Sequence, residues 1–374
     1  MRVGVPTEIK KQENRVGLTP GAVREYTRRG HEVLVQQGAG AGIGAGDDVY
    51  ANAGATLIAD AAEIFSNADM IVKVKEPQPG EWAQLRSNQI LYTYLHLAPD
   101  PEQTKGLLES GCSAIAYETV TDADGGLPLL APMSEVAGRL SIQVAAQSLE
   151  KHHGGKGLLM GGVPGVAAAK VVVIGGGVVG TNAATMALGM GAEVTILDRS
   201  ITRLRELDAL YGGRARTLYS TEEILQQEVT AADVVVGAVL IPGASAPRLV
   251  TRAMLPAIED GSVLVDVAID QGGCFETSKA TTHAEPTYVV DGVVHYCVAN
   301  MPGAVPRTSS YALNNATLQH GLALADRGLA ALDNPHLAAG LNVHAGHVTN
   351  AAVAESLDID YLPVADLPEL RKAS

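Results

Sequence analysis

At 374 residues the chain is longer than one hydrophobic core usually supports, so two domains are expected. A formal charge of −14 argues against nucleic acid or an anionic membrane, both of which need a basic face, and neither is expected as a partner. Cys112, Cys274 and Cys297 stand apart without a C-x-x-C pair, which speaks against a zinc site or a disulfide framework.

In chain order, residues 1–5 read as a first strand, ended by Pro6, rather than as a charged-then-apolar leader. No apolar run is long enough to span a bilayer, and a cytoplasmic location is expected. A polar loop over 7–20 carries Arg15 in its middle, a helix runs to about Arg29, and His31 to Gln36 form a second strand. The glycines of 38–46 fall at every second residue with no long buried strand before them, so the segment reads as a structural turn. Residues 68–77 are a strand closed by Pro77, with Lys75 at its carboxyl end, where open α/β sheets place their ligands. Residues 89–98 repeat the arrangement: Tyr92, Tyr94 and His96 share a face, and His96 lies at the carboxyl end. A further strand over 113–120 completes a first α/β domain, and the turn-rich stretch 122–128 bounds it. Ser134 is placed to cap a helix reaching about His152, and a glycine-rich loop over 154–165 follows.

Residues 171–180 are the most specific stretch. Four β-branched residues, Val171 to Ile174, predict a fully buried parallel strand. Gly175, Gly177 and Gly180 then match G-x-G-x-x-G where a strand should turn into a helix, over Thr181 to Met190. The first glycine permits the tight turn, the second lets the backbone approach a pyrophosphate, and the third lets the helix pack on the sheet. A second strand ends in Asp198, eighteen residues beyond Gly180, placed to accept hydrogen bonds from a ribose and to repel a 2′-phosphate. Arg199, its neighbour, works against that preference; the reading is NAD.

Beyond Asp198 the alternation continues with a helix over 203–210 and strands over 231–240 and 261–270. The second of these ends in Asp270, placed to face a nicotinamide. A last strand over 293–298 leads to a helix capped by Thr308 or Ser309 and running to about Asp326, and the remainder reads as a helical return to the first domain. Both halves share β–α alternation without a repeat at the level of sequence.

A nucleotide domain joined to a second α/β domain points to a dehydrogenase. Arg15 can grip a carboxylate with a bidentate fork, and Lys75 adds a second cation. His96 is the natural proton shuttle, since imidazole changes charge near neutrality, and Asp270 can orient a water. Two cations with a proton donor suit a small 2-oxo or 2-amino acid.

Segments 13–20, 72–77, 93–98, 132–139, 161–165 and 300–307 resemble the alanine dehydrogenase/transhydrogenase family, and within it the bacterial L-alanine dehydrogenases, nearly end to end. The resemblance implies an α/β fold of two Rossmann-like doubly wound domains with a ligand cleft between them. Residues 1–128 plus 306–374 would form the substrate domain and 129–305 the NAD domain. It implies reversible oxidative deamination of alanine to pyruvate and ammonium, with glycine and glyoxylate as a side activity, in a homohexamer. Hydride leaves Cα to give an iminium, water activated by His96 with Asp270 adds, and the carbinolamine collapses. Arg15 and Lys75 bind substrate. Against NAD the resemblance sets Ser134, Val178, Val179, Asp198, Arg203, Ser220, Val239, Leu240, Val267, Ala268, Ile269, Asp270, Lys279, Val298, Ala299, Asn300 and Met301, beside Gly175, Gly177 and Gly180.

Two positions depart from the pattern. Lys279 stands where relatives carry arginine, and Arg327 where some carry a histidine that shares a divalent ion with the acid matching Glu118, so no metal is expected. Two rivals share the fold: the NAD-binding subunit of proton-translocating transhydrogenase, which has no need of Lys75 and His96, and more distantly the saccharopine-type dehydrogenases. A catalytically silent NAD-binding scaffold is the alternative from another class.

Overall fold

The computed structural model describes residues 1–239 and 246–367. It divides into two compact units, Met1–Met133 with Val305–Ser374, and Ser134–Ala304. The first carries β1 (Arg2–Val5), β2 (Glu32–Gln36), β3 (Thr56–Ile58), β4 (Met70–Val72), β5 (Ile90–Thr93) and β6 (Ser113–Ala116). The second carries β7 (Lys170–Ile174), β8 (Glu193–Asp198), β9 (Ala215–Tyr219), β10 (Val234–Gly237), β11 (Val263–Asp266), β12 (Thr287–Val290) and β13 (Val293–Tyr296). The chain then returns to the first unit with β14 (Leu341–His344) and β15 (His347–Val348).

The two sheets follow one plan. The first unit's order is β15-β14-β6-β5-β4-β1-β2-β3, and the second's is β12-β13-β11-β10-β7-β8-β9. Each therefore contains a parallel 3-2-1-4-5-6 run, the order of a doubly wound dinucleotide fold, extended at one edge by antiparallel strands. The order reverses between β1 and β4 in one unit and between β7 and β10 in the other, and the carboxyl ends of those strands open a crevice for a ligand.

Local sequence explains the elements. Val171, Val172, Val173 and Ile174 are buried on both faces, as the apolar run predicts; each such side chain contributes about 1.5–3 kcal/mol. The helix Pro20–Arg28 starts at Thr19, whose hydroxyl accepts the Ala22 N–H, and Pro20 fits the first turn, where its missing N–H costs nothing. In the glycine-rich turn over 38–46, a Cβ on Gly42 would lie 2.1 Å from the Asn14 carbonyl oxygen, so the loop packs directly on that backbone.

Several elements differ from expectation. The helix placed after Ser134 spans Ala131–Ser148, so Ser134 lies inside its first turns rather than at the cap. Pro132 is accommodated there, because an early helical position lacks an N–H partner anyway. By the same rule the helix Pro306–Arg327 begins at Pro306, ahead of Thr308 and Ser309. The C-terminal remainder is not wholly helical, since it supplies β14, paired antiparallel with β6, and β15. Among the described residues, no helix is long and apolar enough to cross a membrane.

Candidate active site

In the second unit the glycine fingerprint bridges β7 and the helix Val178–Gly189. Gly175 has φ +101°, and a Cβ on it would meet the Ala238 carbonyl oxygen, 2.8 Å away across the switch point. A Cβ on Gly180 would sit 1.8 Å from the Gly175 oxygen, so only glycine lets the helix approach the turn so closely. A Cβ on Gly177 would meet nothing within 4 Å, and no side chain caps the helix at that residue. An uncapped helix N-terminus beside open space suits a pyrophosphate.

Asp198 ends β8 beside this loop. Its Oδ2 accepts the Gly176 N–H at 2.7 Å and its Oδ1 the Ser200 N–H at 2.8 Å. Arg203 grips the loop from the other side, with Nε on the Gly176 carbonyl at 2.7 Å and Nη2 on the Thr181 hydroxyl at 2.8 Å. Ser220 donates its backbone N–H to the Asp198 carbonyl, and Val239 stands against Gly175. Val178 is exposed and Val179 half-buried on the first turn of the helix. Ser134, Ala299 and Asn300 are half-buried, whereas Val298 and Met301 are buried, and Lys279 is exposed with its backbone N–H on the Tyr288 hydroxyl. Leu240 lies outside the described residues.

Asp270 does not end a strand. β11 stops at Asp266, and Asp270 sits exposed on the short turn Ile269–Gln271, with Val267 and Ala268 half-buried and Ile269 buried between the two acids. Asp266 takes the buried position. Its carboxylate accepts the N–H groups of Ala268 (3.1 Å), Cys274 (2.8 Å) and Phe275 (3.3 Å) and the Ser278 hydroxyl, fastening both ends of the loop that presents Asp270. Burial pushes the Asp266 carboxyl above its ordinary range, against those donors.

In the first unit Arg15, Lys75 and His96 all stand at or beyond strand ends, and each is held by a carboxylate. Arg15 is buried, with Nε 2.7 Å from Glu13 Oε1, Nη2 2.5 Å from Oε2, and Nη1 3.2 Å from Met133 Sδ. Burial opposes its charge, but Glu13 more than offsets that and holds the guanidinium above its ordinary pKa. The loop bearing Arg15 is fixed by the helix Pro306–Arg327: Ser310 accepts the Val16 N–H, and Asn314 bonds both Thr19 N–H and the Gly17 carbonyl. This is the physical reason the chain's end belongs with its beginning.

β4 stops at Val72, so Lys75 lies on an irregular segment beyond the strand, with Nζ 3.7 Å from Glu76 Oε2. β5 stops at Thr93, and His96 follows in a left-handed conformation, φ +51°, with its side chain 45% exposed. Glu118 accepts the His96 N–H at 2.6 Å and the Leu95 N–H at 3.1 Å, and its Oε1 lies 3.8 Å from His96 Nδ1. The imidazole stacks on Tyr94, 5.8 Å between centroids and 3° between planes, while the Tyr94 hydroxyl donates to the Leu129 carbonyl. The sequence reading singled out neither Glu8 nor Glu13, and gave Glu118 only as the acid matching a metal ligand of some relatives. The signal available was the clustering of acids around lone cations just past strand ends.

Two domain models match this chain: "Alanine dehydrogenase/PNT, N-terminal domain" over residues 4–137 and "Alanine dehydrogenase/PNT, C-terminal domain" over 141–351. The chain belongs to the alanine dehydrogenase/PNT family. An alanine dehydrogenase of Halomonas elongata is 61% identical over 98% of this chain and 100% of its own length. That of Mycobacterium tuberculosis is 53% identical over 98% of this chain and 100% of its own. A solved L-alanine dehydrogenase superposes with a TM-score of 0.93 at 50% identity, covering 96% of this chain and 99% of that one. A transhydrogenase of Sinorhizobium meliloti follows at 0.81 and 26%, covering 93% and 100%.

Arg327, the second of the two departures noted in the sequence, ends the helix Pro306–Arg327. Its guanidinium is bound to Asp333, at 2.7 and 3.1 Å, and to the Ala330 carbonyl. The Glu118 carboxylate is engaged by the backbone of the His96 loop. Among the described residues, one grouping of three potential metal ligands is Glu150, His152 and His153, all exposed and remote in sequence from these loops.

Proposed function

We propose that the chain is an L-alanine dehydrogenase, performing the reversible NAD-dependent oxidative deamination of L-alanine to pyruvate and ammonium. The observation that carries this reading is the trio Arg15, Lys75 and His96, each fixed by its own carboxylate past the strand ends of one sheet. A silent nucleotide binder has no use for such an arrangement. In this reading residues 1–128 with 306–374 handle substrate and residues 129–305 hold NAD.

Arg15 and Lys75 bind the substrate carboxylate, the first as an oriented fork, the second as a point charge. NAD in the fingerprint loop supplies the acceptor for the Cα hydride. The helix end at Gly177 takes the pyrophosphate, Asp198 the ribose hydroxyls, and Arg203 keeps the loop in shape, with Val178, Val179, Ser220 and Val239 alongside. Ser134, residues 267–270, Lys279 and residues 298–301 are proposed as further NAD contacts. The overall reaction consumes water and releases a proton, and His96, open to solvent, is the group that carries that proton. Asp270 is the proposed second acid–base group.

We further propose a cytoplasmic homohexamer, a reading that rests on family resemblance and is checked by sedimentation. The activity is tested by following NADH absorbance with pyruvate and ammonium, beside glyoxylate, 2-oxoglutarate and an NADPH control. Oxidation that requires pyruvate and ammonium together is the expected result. Protein that binds NADH without oxidising it would leave the transhydrogenase-like reading standing.

A further inference from the structure

We infer that Glu8 and Lys73 are positioning residues for Lys75, forming a buried ionic latch that sets where its ammonium meets the substrate. The inference rests on the reading of Lys75 as a substrate binder. Its basis is the segment 73–78, which leaves the sheet yet remains fully specified. Past Val72 regular pairing lapses, keeping only the Lys73 N–H on the Tyr92 carbonyl and the Tyr94 N–H on the Val74 carbonyl, so the other backbone groups must find partners elsewhere or go unsatisfied.

Buried side chains and neighbouring loops meet that need. The Lys73 N–H donates to the Tyr92 carbonyl at 3.2 Å, and the Lys73 carbonyl accepts the Tyr117 hydroxyl at 3.0 Å. Val74 N–H donates to Glu8 Oε1 at 2.6 Å, and Lys75 N–H to Glu8 Oε2 at 3.4 Å. The Lys75 carbonyl accepts the Thr93 hydroxyl at 3.0 Å. One carboxylate therefore holds two successive N–H groups of the segment, one of them that of Lys75 itself.

Glu8 is in turn held by Lys73. Its side chain is 1% exposed and that of Lys73 is 0%, with Nζ 3.1 Å from Glu8 Oε2 and 2.8 Å from Glu81 Oε1. Glu81 closes the far end of the segment, accepting the Gln78 N–H at 2.8 Å. Such a triad is a poor device for stability, because desolvating the charges offsets most of their attraction and apolar residues would serve as well. What it does supply is a fixed geometry. Lys73 ties the loop after β1, which also bears Arg15, to both ends of the segment that presents Lys75. Burial opposes the Lys73 charge, but the two carboxylates more than offset it; burial also raises the Glu8 carboxyl pKa, against the pull of Lys73 and the Val74 N–H.

The test is a double-mutant cycle read by pyruvate binding to the enzyme–NADH complex without ammonium, so that no turnover is needed. Glu8→Gln is expected to weaken pyruvate binding about tenfold in the wild-type background and less than twofold in Lys75→Ala, with NADH affinity unchanged in both. Equal weakening in the two backgrounds, or none in either, overturns the inference. If Glu8→Gln does not fold, Glu81→Gln loosens Lys73 from one partner only and is carried through the same cycle. A second readout addresses Lys75 directly: its rate of acetylation against pH, followed by peptide mass spectrometry, shifts in Glu8→Gln if the latch sets its environment. An unchanged profile counts against the latch. Wild-type protein that fails to oxidise NADH with pyruvate and ammonium brings down the activity instead, and the acetylation profile still decides the latch.

Discussion

The two units share one strand order and use the same place in it for opposite chemistry. At the switch point of the second unit, between β7 and β10, the site is made of backbone: glycines, a bare helix end and a single carboxylate at a strand end. At the corresponding point of the first, between β1 and β4, it is made of charged side chains, Glu8, Glu13, Arg15, Lys73 and Lys75, most of them buried. Topology supplies the crevice and residue choice supplies the chemistry. Backbone donors suit a large ligand with a fixed anionic bridge. Oriented charges suit a small ligand that offers little apolar surface.

The comparison is sharpened most by separating turnover from cofactor binding. His96→Ala is expected to lower kcat by about 10²–10⁴-fold, the usual worth of a general acid–base group, while NADH affinity stays put. Fluorescence titration beside steady-state kinetics checks this; near-normal turnover would remove His96 from the mechanism. The second unit offers the converse pair. Gly180→Ala gains about 1 kcal/mol of helix propensity, but its methyl group would lie 1.8 Å from the Gly175 oxygen. The clash wins, and stability falls by about 1–3 kcal/mol together with NADH binding. Gly177→Ala has open space around it and is expected to keep or raise Tm while losing NADH affinity about tenfold or more. Calorimetry on both variants distinguishes a glycine the fold needs from one the ligand needs. Equal losses of Tm would erase that distinction.

The sequence was most legible where structure is decided locally. The β-branched run before three glycines, and an acid at the end of the next strand, define β7, the loop and Asp198 without reference to the rest of the chain. Legibility failed where a partner far away decides. β14 is the four-residue alternation Leu-Asn-Val-His, too short to stand out beside the Ala- and Leu-rich stretch before it, and Asn342 Nδ2 and His344 Nδ1 are hydrogen-bonded to the Thr119 and Ser113 hydroxyls of the first part of the chain. The pair Asp266 and Asp270 failed for a related reason. Either acid could end the strand, and only the N–H groups of Cys274 and Phe275, returning from beyond two glycines, select Asp266 for burial. Likewise, nothing local distinguishes Glu8 and Glu13 from solvated loop acids until the β4 segment and Arg15 close over them.

The smallest effect probes the charged crevice by pH. Glu76 lies between two lysines: burial raises its carboxyl pKa, but Lys75 and Lys10 more than offset this and hold it below its ordinary value near 4.5. A carboxyl whose folded pKa is depressed contributes stability that is present above the unfolded pKa and is lost as pH falls through the folded one. Its Oε2 is buried without a hydrogen-bond partner, and Lys75 Nζ stands 3.7 Å from it, so the contribution should be modest, about 1 kcal/mol. Glu76→Gln is therefore expected to melt a few degrees below wild type at pH 7, with the gap closing as pH falls below about 4.5. Thermal melts across that window decide the matter. A gap that persists unchanged to acid pH would mean that the glutamate's shape, not its charge, is what the crevice uses, and would narrow the contrast between the two switch points.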